Sequence, residues 1–231
     1  MTLRSLLTIL VCLVCSTESW GEEVRISIRA VFHNPSRPVG HIFVSDQTDG
    51  RVKLNMVTGG LSKSTKTKSI DGKLYFFSND IVDPEDPLAG RVATLRVPDN
   101  LKSAIVILVP APPKSKSPLQ AILIPDSSKE FSKGESRVLS LIPVEAGVEA
   151  GEHKVRLLPG KVSRIPAVEK LDDYNMAQTN FYYKLEDSWV TFTERRLQFL
   201  DDYRRIFIIS PTAGGTQPMI TTIIDTATEA S

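Results

Sequence analysis

The sequence has 231 residues, with 28 lysines and arginines against 27 aspartates and glutamates, so its formal net charge is +1. This balance gives no support to bulk binding of nucleic acid or of an anionic membrane surface. The length and the hydrophobic content of 41% allow one or two ordinary hydrophobic cores.

The N-terminus has the order of a secretory signal. Arg4 is followed by an apolar stretch over residues 6–14, and the segment ends on the small-x-small pattern Ser19-Trp20-Gly21. The stretch is about half of the roughly 20 apolar residues that a membrane-spanning helix needs. We therefore expect residues 1–21 to be a signal peptide, with export to the periplasm or the exterior and no transmembrane segment after cleavage.

The cysteines bear on the same question. Cys12 and Cys15 are the only two, and both lie inside this segment. Lipidation of Cys15 is an alternative, although Val14 precedes it where a small residue is expected. With ordinary cleavage the mature chain has no disulfide and depends on its core, which suits a bacterial envelope protein.

Alternation of apolar and polar residues recurs along the rest of the chain. In VRISIRAVF, Val24 and Ile28 fall on one face and Arg25 and Arg29 on the other, which predicts a half-buried strand with a solvated side. Many similar short runs are separated by turn sequences such as TDG, DPEDP and AGGTQP. The sequence predicts an all-β protein of sandwich architecture.

Two stretches have helical spacing. Residues 167–178 could hold one or two helical turns, and residues 194–205, ERRLQFLDDYRR, are ambiguous. For the second stretch we favour two strands with a turn at Asp201 and Asp202, because the flanking WVTFT and RRIFII are rich in β-branched and aromatic residues.

The proline-rich stretch PAPPKSKSP, residues 110–118, lies between two apolar runs. Its composition suits a linker or a loop, and we predict a hairpin in which residues 103–109 pair with 119–125. The predicted boundary follows at residue 127. It gives two immunoglobulin-like β-sandwich domains, 22–127 and 128–231, with one larger sandwich as the alternative.

Turn residues carry one resemblance. The segment DSSKEFSKGESRVLSLIP and the later VRLLPGKVSRIP combine an Asp-Ser turn, a Phe-x-x-Gly step and a Leu-x-Pro-Gly turn. With these features, about a third of the chain resembles a loose group of uncharacterised secreted bacterial β-sandwich proteins. The resemblance implies a fold and supplies no catalytic residues.

The densest acidic cluster is NDIVDPEDP. Calcium binds sets of carboxylate and carbonyl oxygens, so this loop is a candidate site, but it lacks the EF-hand spacing and its prolines favour a rigid, solvated turn. We expect no metal and no cofactor. The candidate ligands are Asp80, Asp83, Glu85 and Asp86.

The lysines of SKSTKTK, residues 62–68, have no aromatic residues between them. Single-stranded nucleic acid sites interleave positive charge with stacking rings, so this pattern favours a loop or edge that blocks unwanted strand pairing.

The segment NFYYKLEDSW is the strongest surface candidate. Phe181 and Tyr183 alternate with Tyr182, and Trp189 is the only tryptophan after residue 21. Exposed aromatic side chains stack on sugars or anchor protein partners, so Tyr182 and Trp189 are candidate ligand-binding residues. The alternative is that Phe181 and Trp189 are ordinary core residues.

No catalytic motif is recognisable, and Gly-x-Ser-x-Gly is absent. We therefore name no catalytic residue and predict a non-catalytic exported protein with a binding or structural role, whose partner is a protein or a carbohydrate and not a nucleic acid. The alternatives are a secreted hydrolase of unrecognised family and a periplasmic chaperone-like module that pairs an edge strand with a client.

Overall fold

The computed structural model describes residues 24–33, 40–57 and 59–226. Over these residues the chain forms 16 β-strands and no helix. The all-β prediction is confirmed, and no helix in the described part of the chain is long and apolar enough to cross a bilayer. The predicted signal segment, with Cys12 and Cys15, lies outside the described residues.

The first half of the chain builds two four-stranded sheets. Inner sheet 1 contains, in spatial order, β4 (Thr65–Ser69), β1 (Val24–Phe32), β7 (Ser103–Pro110) and β8 (Leu119–Pro125). Outer sheet 1 contains β3 (Arg51–Leu54), β2 (Ile42–Ser45), β5 (Lys73–Phe77) and β6 (Arg91–Arg96).

The second half builds two more sheets of the same size. Inner sheet 2 contains β12 (Val162–Ile165), β9 (Ser136–Ser140), β15 (Arg204–Pro211) and β16 (Pro218–Asp225). Outer sheet 2 contains β11 (His153–Leu157), β10 (Ala146–Ala150), β13 (Met176–Leu185) and β14 (Ser188–Gln198).

The two halves have the same topology. Adding eight to each strand number of the first half reproduces both sheet orders of the second half. In each half the first strand also pairs in parallel with the seventh strand of that half, β1 with β7 and β9 with β15. The two LDDY sequences do not mark this repeat, because one follows β12 and the other follows β14.

Three hydrophobic cores separate the four sheets into layers. One core fills the space between outer and inner sheet 1, and another fills the space between inner and outer sheet 2. The third lies between the two inner sheets and includes Val31, Ile107, Leu139 and Ile208. Both faces of each inner sheet are therefore covered.

The hairpin prediction is confirmed. Strands β7 and β8 pair antiparallel from Ala104 opposite Pro125 to Pro110 opposite Leu119. The apolar run of β7 is buried because its side chains alternate between the first and third cores.

The second ambiguous stretch also folds as predicted, with β14 ending at Gln198 and a turn at Asp201 and Asp202 before β15. Residues 167–178 contain no helix; an irregular segment and a turn precede β13, which begins at Met176. There Asp172 accepts hydrogen bonds from the backbone N–H groups of Tyr174 and Met176, at 2.8 and 3.0 Å. Such local side-chain bonds favour a turn over a helix.

Four charged side chains, each at most 11% exposed, connect the two halves. The guanidinium of Arg29 on β1 donates to Asp126 at 2.9 Å and to Asp225 on β16 at 2.6 Å. Arg204 on β15 donates to Asp126 at 2.7 Å and also to Asp225. The predicted solvated face of β1 is therefore wrong at Arg29, because inner sheet 2 covers it. The division into two immunoglobulin-like domains at residue 127 stays a prediction.

Candidate functional site

The two candidate aromatic residues lie together on the outward face of outer sheet 2. Tyr182 pairs with Thr191, and Trp189 pairs with Lys184 one position further along the same face of β13 and β14. Because side chains alternate along a strand, Phe181 points inward and is fully buried, whereas Trp189 is 42% exposed. Trp189 is therefore a surface residue, as the ligand-binding hypothesis requires, whereas Phe181 is a core residue.

A bulge sets this geometry. The register shifts after Phe181, which pairs with Thr193, so that Phe192 has no partner on β13. Phe192 packs beside Phe181 in the core, with ring centroids 6.4 Å apart. A bulge changes the face to which neighbouring side chains point, and here Trp189 and Thr191, which precede Phe192, lie on the outward face with Tyr182.

Gly147 forms the floor between the two rings. It lies on β10 directly opposite Tyr182, and a methyl group placed on it would be 3.4 Å from Trp189 Cζ3 and 3.7 Å from Tyr182 Cβ. The absence of a side chain therefore lets the indole lie close against the sheet.

Charged side chains border the aromatic surface. The Tyr182 hydroxyl donates to Glu149 at 2.8 Å, and Lys154 donates to the other carboxylate oxygen of Glu149 at 2.6 Å. The Arg156 guanidinium lies 5.5 Å from the Trp189 ring centroid and forms an ion pair with Glu145 at 2.6 Å. We call Tyr182, Trp189, Gly147 and this border the aromatic platform.

These contacts fix the charges at neutral pH. Hydrogen bonds from Lys154 and then from Tyr182 hold the pKa of Glu149 below its ordinary value. Burial and the bond to Glu149 raise the pKa of the Tyr182 hydroxyl, so it remains a donor. The bond from Arg156 lowers the pKa of Glu145. The border therefore presents ionised carboxylates, cations and a neutral hydroxyl.

The platform encloses a shallow depression of about 470 Å³. A flat indole beside fixed donors and acceptors suits a ring-shaped polar ligand, because the apolar face of the ligand stacks while its edge groups form hydrogen bonds.

The acidic candidates lie elsewhere, in an exposed loop between β5 and β6. Asp83 and Asp86 accept hydrogen bonds from the backbone N–H groups of Glu85 and Leu88, at 2.9 and 3.2 Å. Nowhere do the described residues bring together three or more histidine, cysteine, aspartate or glutamate side chains as a metal site. The geometry thus gives no support to a calcium site at Asp80, Asp83, Glu85 and Asp86.

The lysines of residues 62–68 lie on and before β4, an edge strand of inner sheet 1. Lys66 is exposed, whereas Lys68 is buried and forms an ion pair with Asp49.

Sequence reasoning missed the polar border of the platform and its floor. Glu149, Lys154 and Arg156 come from β10 and β11, some 30 residues before the aromatic segment. Only the pairing register of β10 with β13 places them beside Tyr182. A single signal was present in the sequence: Gly147 interrupts an otherwise strand-like run, which often marks a close approach.

No protein-family model matches the chain, and no curated protein matches it.

Proposed function

We propose that this protein is exported and binds carbohydrate without catalysis, with the aromatic platform as its binding surface. The observation that carries the proposal is the position of Trp189, the only tryptophan after residue 21, which is 42% exposed on a sheet face between Gly147 and the Arg156 guanidinium. A large apolar ring of this kind has a free-energy cost in water that a stacked sugar removes.

Charge and shape favour a sugar over a protein partner. The depression is small and shallow, and its border alternates acid, base and hydroxyl groups. A stable protein–protein contact buries about 800 Å² on each side, around a larger apolar centre. A sugar unit needs only one stacking ring and a few bonds to its hydroxyl groups.

The hydrolase alternative finds little support at Asp225, whose side chain is 2% exposed. Burial would raise the pKa of Asp225, but the hydrogen bonds and charges of Arg29 and Arg204 outweigh it and lower the pKa. A glycosidase acid must instead hold a proton near neutral pH. Asp225 is therefore suited to structure rather than to proton transfer.

The strand-pairing alternative has one feature in its favour, the long edge strand β14. It has 11 residues, and among the described strands it pairs with β13 alone. Near its C-terminal end β14 carries three consecutive charged residues, Glu194, Arg195 and Arg196. Charges of this kind protect an edge strand against pairing with another chain. We therefore rank strand addition below sugar binding.

The experiment is a titration of residues 22–231 with neutral oligosaccharides of glucose, galactose and N-acetylglucosamine units. Calorimetry and Trp189 fluorescence monitor the binding. We expect saturable binding to at least one series. Trp189→Ala should weaken it roughly tenfold or more, because the stacking surface is lost.

Leu185→Ala is the matched control, since Leu185 is exposed on the same β13–β14 hairpin but lies outside the depression. It should leave affinity unchanged. Absence of binding across the series, or equal affinity of Trp189→Ala and the parent protein, would remove the proposal.

A further inference from the structure

A second concave surface lies where the two halves meet, and it shares no lining residue with the aromatic platform. It is a cleft of about 1000 Å³ whose walls come from both inner sheets. Its floor contains Arg29 and Asp126 from one side and Arg204 and Asp225 from the other. We call it the interface cleft.

The floor is polar and already satisfied. Arg29 places its three guanidinium nitrogens on Asp126 and Asp225. The guanidinium nitrogens of Arg204 donate to the same two carboxylates and to the Phe131 carbonyl. Each carboxylate is thus bound by both arginines, so the floor is close to neutral and rigid.

The rim of the cleft carries a charge excess. Its four lysines come from separate segments: the approach to β4, β4 itself, the turn before β7 and the connection before β9. All four are exposed, and none forms an ion pair with a carboxylate of the described residues. The lysines are Lys63, Lys66, Lys102 and Lys133.

Six cations and two anions line the cleft, an excess of four positive charges, although the whole chain is nearly neutral at +1. Like charges converging on a concave surface repel one another, and a bound anion relieves that repulsion. Hydroxyl groups lie among them: Ser27 and Ser64 are hydrogen-bonded at 2.5 Å, and Ser127 and Ser128 line the same wall.

We propose that the interface cleft binds a small anion with two or more phosphate groups. Lysine ammonium groups act as mobile point charges that suit phosphate oxygens, and serine hydroxyls supply further donors. The volume exceeds the need of one phosphate, and the lysines lie around the rim rather than at one point, which favours a ligand with several charged groups.

Tripolyphosphate is the probe. Calorimetry at low ionic strength should show one saturable site on residues 22–231, weakened by added salt because the lysines are exposed. Lys63→Gln combined with Lys66→Gln should lower affinity about tenfold, as two exposed ion-pair contributions are lost.

Lys114→Gln combined with Lys116→Gln is the matched control, since it removes the same charge at the exposed tip of the β7–β8 hairpin, outside the cleft. It should change affinity less than twofold. Equal weakening by both double variants would mean nonspecific attraction and would overturn the proposal, as would the absence of saturable binding.

Two further arms identify the ligand class and separate the sites. Citrate should bind at least tenfold more weakly than tripolyphosphate; equal affinity would overturn the assignment to phosphate. Trp189→Ala should bind tripolyphosphate as the parent protein does, so that failure of the sugar proposal leaves this one intact. Loss of tripolyphosphate binding in Trp189→Ala would place the anion on the platform and overturn the cleft.

Discussion

Arg29 and Asp225 are 196 positions apart in the chain, yet Arg29 Nη1 lies 2.6 Å from Asp225 Oδ1. The side chains are only 11% and 2% exposed. This bond joins the first of the described strands to the last and so connects the two halves directly. Arg137 is the equivalent of Arg29 in the second half. Arg29 pairs with Ile105 on β7, and Arg137 pairs with Ile206 at the matching position of β15.

Arg29→Met should destabilise the protein by about 3 kcal/mol, because Asp126 and Asp225 each lose a partner while buried. Urea unfolding of residues 22–231, followed by circular dichroism, measures the change. Arg25→Met is the control on the same strand. Arg25 is exposed, so its free energy of unfolding should stay within about 0.5 kcal/mol of the parent value. Similar values for both variants would contradict the role of the buried network.

The same network predicts a dependence on acid. The pKa of Asp225 is lowered in the folded state, so the unfolded chain binds its proton first as the pH falls. Stability from this group is therefore complete above the ordinary carboxylate pKa of about 3.9 and is lost as the pH falls through the lower folded value.

Asp225→Asn should flatten the plot of unfolding free energy against pH below about pH 4, by at most about 1.4 kcal/mol per pH unit. Equilibrium unfolding from pH 2 to pH 7 measures both slopes. Glu85→Gln, on the exposed loop, serves as the control and should leave the slope as it is. Parallel curves for Asp225→Asn and the parent protein would show that Asp225 contributes nothing to the acid response.

The strands and the β7–β8 hairpin were predictable because they depend on local pattern. Alternation identifies a strand, and proline with turn residues ends it. The same alternation failed at Arg29, since it marks a polar face without showing what covers that face. In this fold the covering sheet comes from residues more than 100 positions later.

The platform was predictable only in part, for a related reason. Tyr182 and Trp189 belong to one hairpin, so their closeness follows from local sequence. Their neighbours Glu149 and Arg156 depend on the register between β10 and β13, which a sequence pattern does not specify. The interface cleft is less predictable still, because its walls combine residues from both halves.

Gly147→Val should disturb the platform without disturbing the fold. Its β-carbon would contact Trp189 at 3.4 Å, and the further methyl groups would push the indole off the sheet. We expect red-shifted Trp189 emission and weaker sugar binding, with the free energy of unfolding changed by less than about 1 kcal/mol.

Gly40→Val is the control for this substitution, since no atom of the described residues lies within 4 Å of a β-carbon at Gly40. Its emission spectrum and sugar affinity should equal those of the parent protein. An unchanged spectrum in Gly147→Val would mean that Trp189 does not depend on the glycine floor.

Cleavage of the β7–β8 hairpin at Lys114 or Lys116 should leave the two fragments associated. The tip is exposed, while β7 and β8 behind it are joined by an antiparallel ladder from Ala104 to Pro110. The cut leaves β8 covalently attached to the second half, so the ladder and two hydrophobic cores would bridge the nick.

Limited proteolysis followed by size-exclusion chromatography should show one peak at the mass of the intact protein. Denaturant should be needed to separate the fragments, because separation removes β8 from the ladder and exposes the face of β7 that packs in the third core. Two folded fragments that elute separately without denaturant would instead show that residues 110–118 act as a linker, and that neither core depends on the β7–β8 pairing.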